Sequence, residues 1–130
     1  MATIFSKIIS GEIPAYKILE NERYLAFLDV FPLAKGHTLV IPKNETDYIF
    51  DIDDMELGEM MVFAKKVSKA IKSAFPCAKI GISVVGLEVP HAHIHLIPIN
   101  QVSDMNFSKP KLSFTKEEME SMAESIKSYL

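Results

Sequence analysis

His91-Ala92-His93-Ile94-His95 sets three imidazoles at alternate positions inside an apolar run, Val89 to Ile99, that reads as a β-strand. Strand side chains alternate between faces, so the spacing predicts His91, His93 and His95 on one face and Ala92, Ile94 and Leu96 on the other. Neighbours on one face stand roughly 6–7 Å apart along a strand, which lets adjacent rings share one small group such as a phosphate or a metal ion. The remaining histidine, His37, opens a second strand-like run, Thr38-Leu39-Val40-Ile41-Pro42. A single histidine in such a place decorates a solvent face; three in register, with a fourth in a similar context, read as functional.

Two chemistries fit the pattern. Neutral imidazole is a common zinc ligand, and three histidines with an open fourth position suit hydrolytic metal chemistry. Positions i, i+2 and i+4 of one strand lie nearly in line, however, and His91 and His95 are about 13 Å apart by strand rise, whereas a tetrahedral ion needs converging ligands. No metal is therefore expected at this cluster. The other chemistry is nucleophilic attack at phosphorus. An attacking histidine must keep a lone pair on one ring nitrogen while the other is held as an N–H donor, typically by a backbone carbonyl. His93, flanked on both sides, is the candidate nucleophile, and His95 with nearby backbone N–H groups is the candidate partner of the phosphate oxygens.

The elements that must position these residues follow from the rest of the chain. Ile4-Phe5-Ser6-Lys7-Ile8-Ile9 reads as a short helix stopped by Ser10-Gly11 and Pro14. Tyr16–Leu19, Tyr24–Asp29 and His37–Ile41 read as strands joined by connections short enough for an antiparallel meander. Asp53-Asp54-Met55-Glu56 has the form of a capping box opening a helix to about Phe75, where Pro76 stops it. Met60, Phe63, Ala64, Val67, Ile71, Ala74 and Phe75 form its core stripe, with Lys65, Lys66, Lys69 and Lys72 away from it. Met55 and Val62 fall off that stripe, as isolated exposed residues or as part of a subunit contact. Lys79–Val85 reads as a further strand, 100–111 as loop, and Thr115-Lys116-Glu117-Glu118 as the cap of a last helix carrying Met119, Met122, Ala123, Ile126 and Leu130.

The chain has 130 residues, enough for one domain with a core of its own. A net charge of -3 and a pI near 5.8 leave no basic footprint for nucleic acid, so any nucleotide bound is expected to be small. The lone Cys77 excludes an intramolecular disulfide. Neither a signal-like apolar segment nor a run of membrane-spanning length is present, and the cytoplasm is the expected compartment.

His91-Ala92-His93-Ile94-His95-Leu96-Ile97 resembles the His-φ-His-φ-His-φ-φ signature of the histidine triad (HIT) proteins, nucleotide hydrolases and transferases. Ile4–Pro14, Ala26–Val30 and Gly36–Lys43 resemble the nucleoside-binding half of that family in the same order, and the likeness runs from residue 3 to about 99. It implies a two-layer α+β fold: a five-stranded antiparallel sheet, a long central helix and short terminal helices, the sheet continuing across a homodimer. By the same resemblance His93 is the nucleophile that forms a nucleotidyl intermediate, His91 orients it, His37 supports it and His95 contacts phosphate. Asp29 matches the residue that binds the ribose hydroxyls, and Phe5, Ile8, Ile13, Leu28, Val30 and Leu39 match the apolar slot for a purine.

The chain departs from the family pattern in two places. Thr3 and Ser6 stand where many relatives carry cysteines that begin a zinc site, so that structural metal is not expected here. The loop before the triad, Gly86-Leu87-Glu88, looks shortened and has leucine where glutamine is usual; leucine donates no hydrogen bond and glutamate repels a phosphate. The implied activity is hydrolysis of purine nucleoside 5′-phosphoramidates or related AMP conjugates, without cofactor. The alternatives are a dinucleoside polyphosphate hydrolase, a nucleotide-binding protein with negligible turnover and, third, a zinc hydrolase.

Overall fold

The structure, a computed structural model, describes residues 2–130. Its centre is one antiparallel sheet built from β1 (Lys17–Glu20), β2 (Tyr24–Leu28), β3 (Thr38–Pro42), β4 (Lys79–Ser83) and β5 (Ile94–Ile99), in the order β1-β2-β3-β5-β4. The helices are α1 (Ile4–Ser10), α2 (Asp54–Ala74) and α3 (Lys116–Lys127).

Strand alternation sorts the core into two parts. Tyr24, Ala26 and Leu28 of β2, Val40 of β3 and Ile94 and Leu96 of β5 face α2 and α3, where they meet Met60, Phe63, Ala64, Val67 and Ile71. Leu25, Phe27, Leu39 and Ile41 face the other way, onto Phe5 and Ile8 of α1. The register keeps the two sets apart, because Leu25 pairs with Ile41, Phe27 with Leu39, and Leu39 with His95. His95 therefore emerges on the α1 side of the sheet. Both faces being covered explains why every residue of β2 and β3 is buried.

The cap read at Thr115 forms, and α1 carries one that the sequence reading did not name. Thr3 and Ser6 form a capping box on α1, and Thr115 and Glu118 form another on α3. Gly11 closes α1 at φ 87°, a left-handed conformation that glycine adopts without steric cost. Gly36, ahead of β3, has the same φ and lies so close to Phe75 that a Cβ would come within 2.7 Å of its ring. On α2 only half of the expected box forms: Asp53 accepts from the Glu56 N–H at 3.0 Å, but the Glu56 side chain returns nothing, and the Glu56 carbonyl accepts from the Tyr24 hydroxyl at 2.8 Å.

Three further expectations need correction. The α2 stripe includes Ala70 and fades at Ala74 and Phe75, which are half-buried because the helix ends there. The segment read as loop contains a 3-10 turn, Val102–Met105, in which the Asp104 carboxylate accepts from the N–H groups of Asn100 and Gln101 at 2.8 and 3.0 Å. The histidine strand begins at Ile94 and not at Val89. Upstream, His91 N–H closes a tight turn on the Val89 carbonyl, and Ala92 N–H donates to Thr46 outside any ladder.

Candidate active site

All four histidines are buried and gather on the α1 side of the sheet. Adjacent rings are in contact: His93 and His95 lie 5.0 Å apart between centroids, and His37 and His95 lie 5.2 Å apart. Phe5 walls one end of the row, with its ring 5.0 Å from His93 and 5.8 Å from His91. Phe107 walls the other, 4.9 Å from His95 and 6.5 Å from His37.

The hydrogen bonds fix which ring nitrogen carries each proton. His93 Nδ1 lies 2.7 Å from the His91 carbonyl, which can only accept, so Nδ1 holds the proton and Nε2 holds a lone pair. His37 Nδ1 lies 2.9 Å from the Leu33 N–H, which can only donate, so the His37 proton sits on Nε2. That proton is donated to His95 Nδ1 at 2.9 Å, which leaves the His95 proton on Nε2. Among the described residues no fully buried side-chain nitrogen or oxygen lacks a partner. Nε2 of His93 and Nε2 of His95 have no partner among the described residues and are thus not fully occluded. A lone pair and an N–H donor stand side by side at the mouth of the site.

Burial keeps these rings neutral. It pushes His37 down to about 4, helped by the Lys111 charge, and His95 down to about 4, helped by the neighbouring His37 and His93. His93 is lowered for the same first reason, partly offset by its bond to the His91 carbonyl and by the Asp29 and Glu88 carboxylates. His91 is held at both ring nitrogens, Nε2–H donating to the Pro42 carbonyl at 2.8 Å and Nδ1 lying 3.1 Å from the Thr3 hydroxyl.

The other candidate residues divide. Phe5, Ile8 and Leu39 share one buried cluster with Ile13 packed against it. Leu28 does not join them, because its parity in β2 turns it toward α2. Phe27 belongs to that cluster instead, packing edge-on to Phe5 at 5.6 Å, and period two along Tyr24–Leu28 contained that signal. Val30 follows the strand and is exposed. Asp29 lies at the histidines, its Oδ2 3.5 Å from His37 Nε2, while Oδ1 accepts from the Phe31 N–H at 2.8 Å. Gly86, at φ 67°, Leu87, 88% exposed, and Glu88 belong to the irregular segment ahead of the triad. Phe107 and Lys111 escaped the sequence reading, since nothing in 100–111 repeats. Leu112 N–H bonded to the Pro32 carbonyl at 2.8 Å straps that segment to the loop before His37.

Asp29, His37 and His95 bring one potential ligand atom each within 4.8 Å of one another. The two histidine nitrogens of that set are already joined by a hydrogen bond whose proton the Leu33 N–H assigns to His37, so an ion there would have to displace it. At the α1 position, Thr3 and Ser6 offer hydroxyls where zinc takes thiolate, imidazole or carboxylate, and both hydroxyls are engaged in bonds of their own. That donor set does not fit the structural zinc.

Sheet order and helix placement define an α+β protein whose five-stranded antiparallel sheet carries a row of buried histidines on its α1 face. Residues 10–102 match the HIT domain family, and the chain belongs to that family. It is 34% identical to an adenosine 5′-monophosphoramidase of Schizosaccharomyces pombe over 98% of both chains. It is 42% identical to an adenosine 5′-monophosphoramidase of Saccharomyces cerevisiae over 75% of this chain and 62% of that protein. The crystal structure of a HIT-like protein from Bartonella henselae superposes with a TM-score of 0.85 at 32% identity, covering 98% of this chain and 96% of that one. No helix among the described residues is long and apolar enough to cross a membrane.

Proposed function

We propose that this protein hydrolyses purine nucleoside 5′-phosphoramidates or related AMP conjugates through a nucleotidyl intermediate on His93. The observation that carries the reading is the His93 ring itself, whose Nδ1–H is held by the His91 carbonyl while its Nε2 lone pair has no hydrogen-bond partner among the described residues. In the first step the Nε2 lone pair attacks the α-phosphorus and the bond to the leaving nitrogen breaks. The nitrogen departs as an amine, taking up a proton from solvent. The ring becomes cationic, and the carbonyl on Nδ1–H stabilises that charge. His95 Nε2–H donates to a non-bridging phosphate oxygen, and His37 holds His95 in the tautomer that permits it. In the second step water adds to phosphorus, the P–Nε2 bond breaks, AMP leaves and a proton passes to solvent. Asp29 accepts from the ribose hydroxyls, and Phe5, Ile8, Ile13 and Leu39 hold the base.

Leaving-group preference follows from the rim. Leu87 contributes no donor, and Glu88 opposes an anionic leaving group. Amines that carry their own proton are favoured over the charged phosphates released from dinucleoside polyphosphates. The decisive experiment compares kcat/KM for an AMP phosphoramidate and diadenosine tetraphosphate in the parent protein, Leu87→Gln and Glu88→Gln, with and without chelator. Preference for the phosphoramidate, narrowed by either substitution and indifferent to chelator, supports the reading. Saturable AMP binding with no turnover of either substrate favours a binding protein, and loss of activity on chelation favours a metal hydrolase.

The active form in this reading is a homodimer. β4 is an edge strand, and beside it Met61, Val62, Lys65, Ile80 and Ile82 line an apolar groove of about 410 Å³. An exposed strand edge flanked by apolar side chains is the surface that a second copy covers by continuing the sheet. Val62→Glu is expected to yield a monomer in sedimentation at a concentration where the parent protein is dimeric.

A further inference from the structure

His93 is oriented by a peptide that the sheet does not hold. The carbonyl it binds belongs to His91, in the irregular segment that ends where β5 begins at Ile94. What restrains that peptide comes from elsewhere: the Ala92 N–H bond to Thr46, and the two bonds of the His91 ring. One of the ring bonds reaches the end of β3, at the Pro42 carbonyl. The other reaches Thr3, 88 residues away in sequence and buried at the start of α1. Because the Pro42 carbonyl only accepts, the ring proton is on Nε2. Nδ1 of the ring is then the acceptor, and the Thr3 hydroxyl is the donor.

We infer that Thr3 is a positioning residue for the nucleophile: its hydroxyl, donating to His91 Nδ1, fixes the peptide whose carbonyl sets the tautomer and aim of His93. The inference rests on His93 being the nucleophile. Thr3 has a second job, accepting from the Ser6 N–H as the helix cap. The two jobs use different features of the hydroxyl, a lone pair toward Ser6 and the proton toward His91, and they are separable by substitution. Ser6 supports the cap through its own bond with the Thr3 N–H at 2.7 Å, its hydroxyl also lies 3.0 Å from the Thr3 hydroxyl, and it makes no hydrogen bond to His91.

The test uses Thr3→Val, which keeps the shape and removes the donor, Thr3→Gly, which caps a helix with little loss but has no hydroxyl, and Thr3→Ser, which restores it. Ser6→Ala weakens the cap and leaves the donor in place. Single-turnover formation of the nucleotidyl adduct is expected to slow about tenfold or more in Thr3→Val and Thr3→Gly, with AMP affinity unchanged, and to recover in Thr3→Ser. Ser6→Ala is expected to lower the unfolding temperature without slowing the adduct step. Nitrogen-15 spectra of the His93 ring give a readout that needs no activity: a single Nδ1–H tautomer in the parent protein and Thr3→Ser, a mixture in Thr3→Val and Thr3→Gly. An unchanged tautomer in the two donor-free variants, a full adduct rate, or rates that track unfolding temperature across all four variants would overturn the inference. Should His93→Ala retain turnover, the nucleophile assignment itself fails, and the nitrogen-15 result still reports whether Thr3 sets the ring.

Discussion

Two neighbouring histidines of one motif are restrained in different ways. His95 stands in β5, paired with Leu39 on one side and Ser83 on the other, so its backbone is fixed by hydrogen-bonded neighbours on both edges. His93 stands two residues earlier, outside the ladder, and is bonded to a carbonyl whose peptide is steadied by a few isolated backbone bonds and by the bonds of the His91 ring. The comparison separates the tasks. In the proposed reading the donor to a phosphate oxygen, His95, is placed by the sheet, whose geometry follows from register, and the proposed nucleophile, His93, sits where the backbone leaves the sheet. A ladder tolerates the loss of one side chain because many bonds define it; a segment held by three or four bonds does not.

Removing the proposed nucleophile tests the irregular side of that comparison and carries the largest expected effect. His93→Ala is expected to lower kcat by several powers of ten while AMP affinity is retained, measured by turnover and by calorimetric titration. An adduct trapped in the parent protein maps to the peptide containing His93; near-native turnover in the variant removes the assignment.

The sheet side breaks at His37, whose single ring proton dictates the tautomer of His95. His37→Phe leaves the Leu33 N–H and His95 Nδ1 without partners, and the loss of a well-aimed phosphate donor costs about 3 kcal/mol, or roughly a hundredfold in rate. His37→Gln, which offers an acceptor and a donor on one side chain, is expected to recover a measurable part. Equal rates in the two variants would show that the relay through His37 does not govern His95.

Acid discriminates the buried rings from ordinary ones. His37 and His95 protonate near 4 in the folded protein, against about 6.5 when exposed. Between those values the unfolded chain binds more protons, so stability falls as pH drops from about 6.5 toward about 4, by an amount on the order of a few kcal/mol, and levels off below. Urea unfolding at pH 7.0, 5.5 and 4.5 measures the slope, and His37→Gln is expected to flatten it. A parent slope indistinguishable from that of His37→Gln contradicts the burial argument.

The smallest effect concerns the sugar. Asp29 gives Oδ1 to the Phe31 N–H and turns Oδ2 toward the histidines, so Asp29→Ala removes a charged acceptor of about 1.5–3 kcal/mol for a ribose hydroxyl. AMP is expected to lose more affinity than 2′-deoxy-AMP; equal losses assign Asp29 to the turn alone.

How much of this was legible in the sequence depended on the range of the interaction. Period two placed the histidines opposite Ala92, Ile94 and Leu96, and period 3.6 drew the core face of α2 from Met60 to Ile71, because both patterns record which side of an element escapes water. Asp53 and Thr115 marked helix starts because a cap is satisfied within four residues. The same alternation, applied strictly to Tyr24–Leu28, would have set Leu28 apart from Phe27 and Asp29. Tertiary structure alone decided where β5 begins, since Ala92 N–H chooses Thr46 over a strand partner. It alone brought Phe107 onto His95 from a segment with no period, and joined the Thr3 hydroxyl to His91. Local hydrogen bonds and hydrophobic alternation are written in neighbouring residues. The protons of His93 and His37 are set by near neighbours, His91 and Leu33, but those of His95 and His91 are set by His37 and Pro42 far along the chain, and only the folded molecule brings these together.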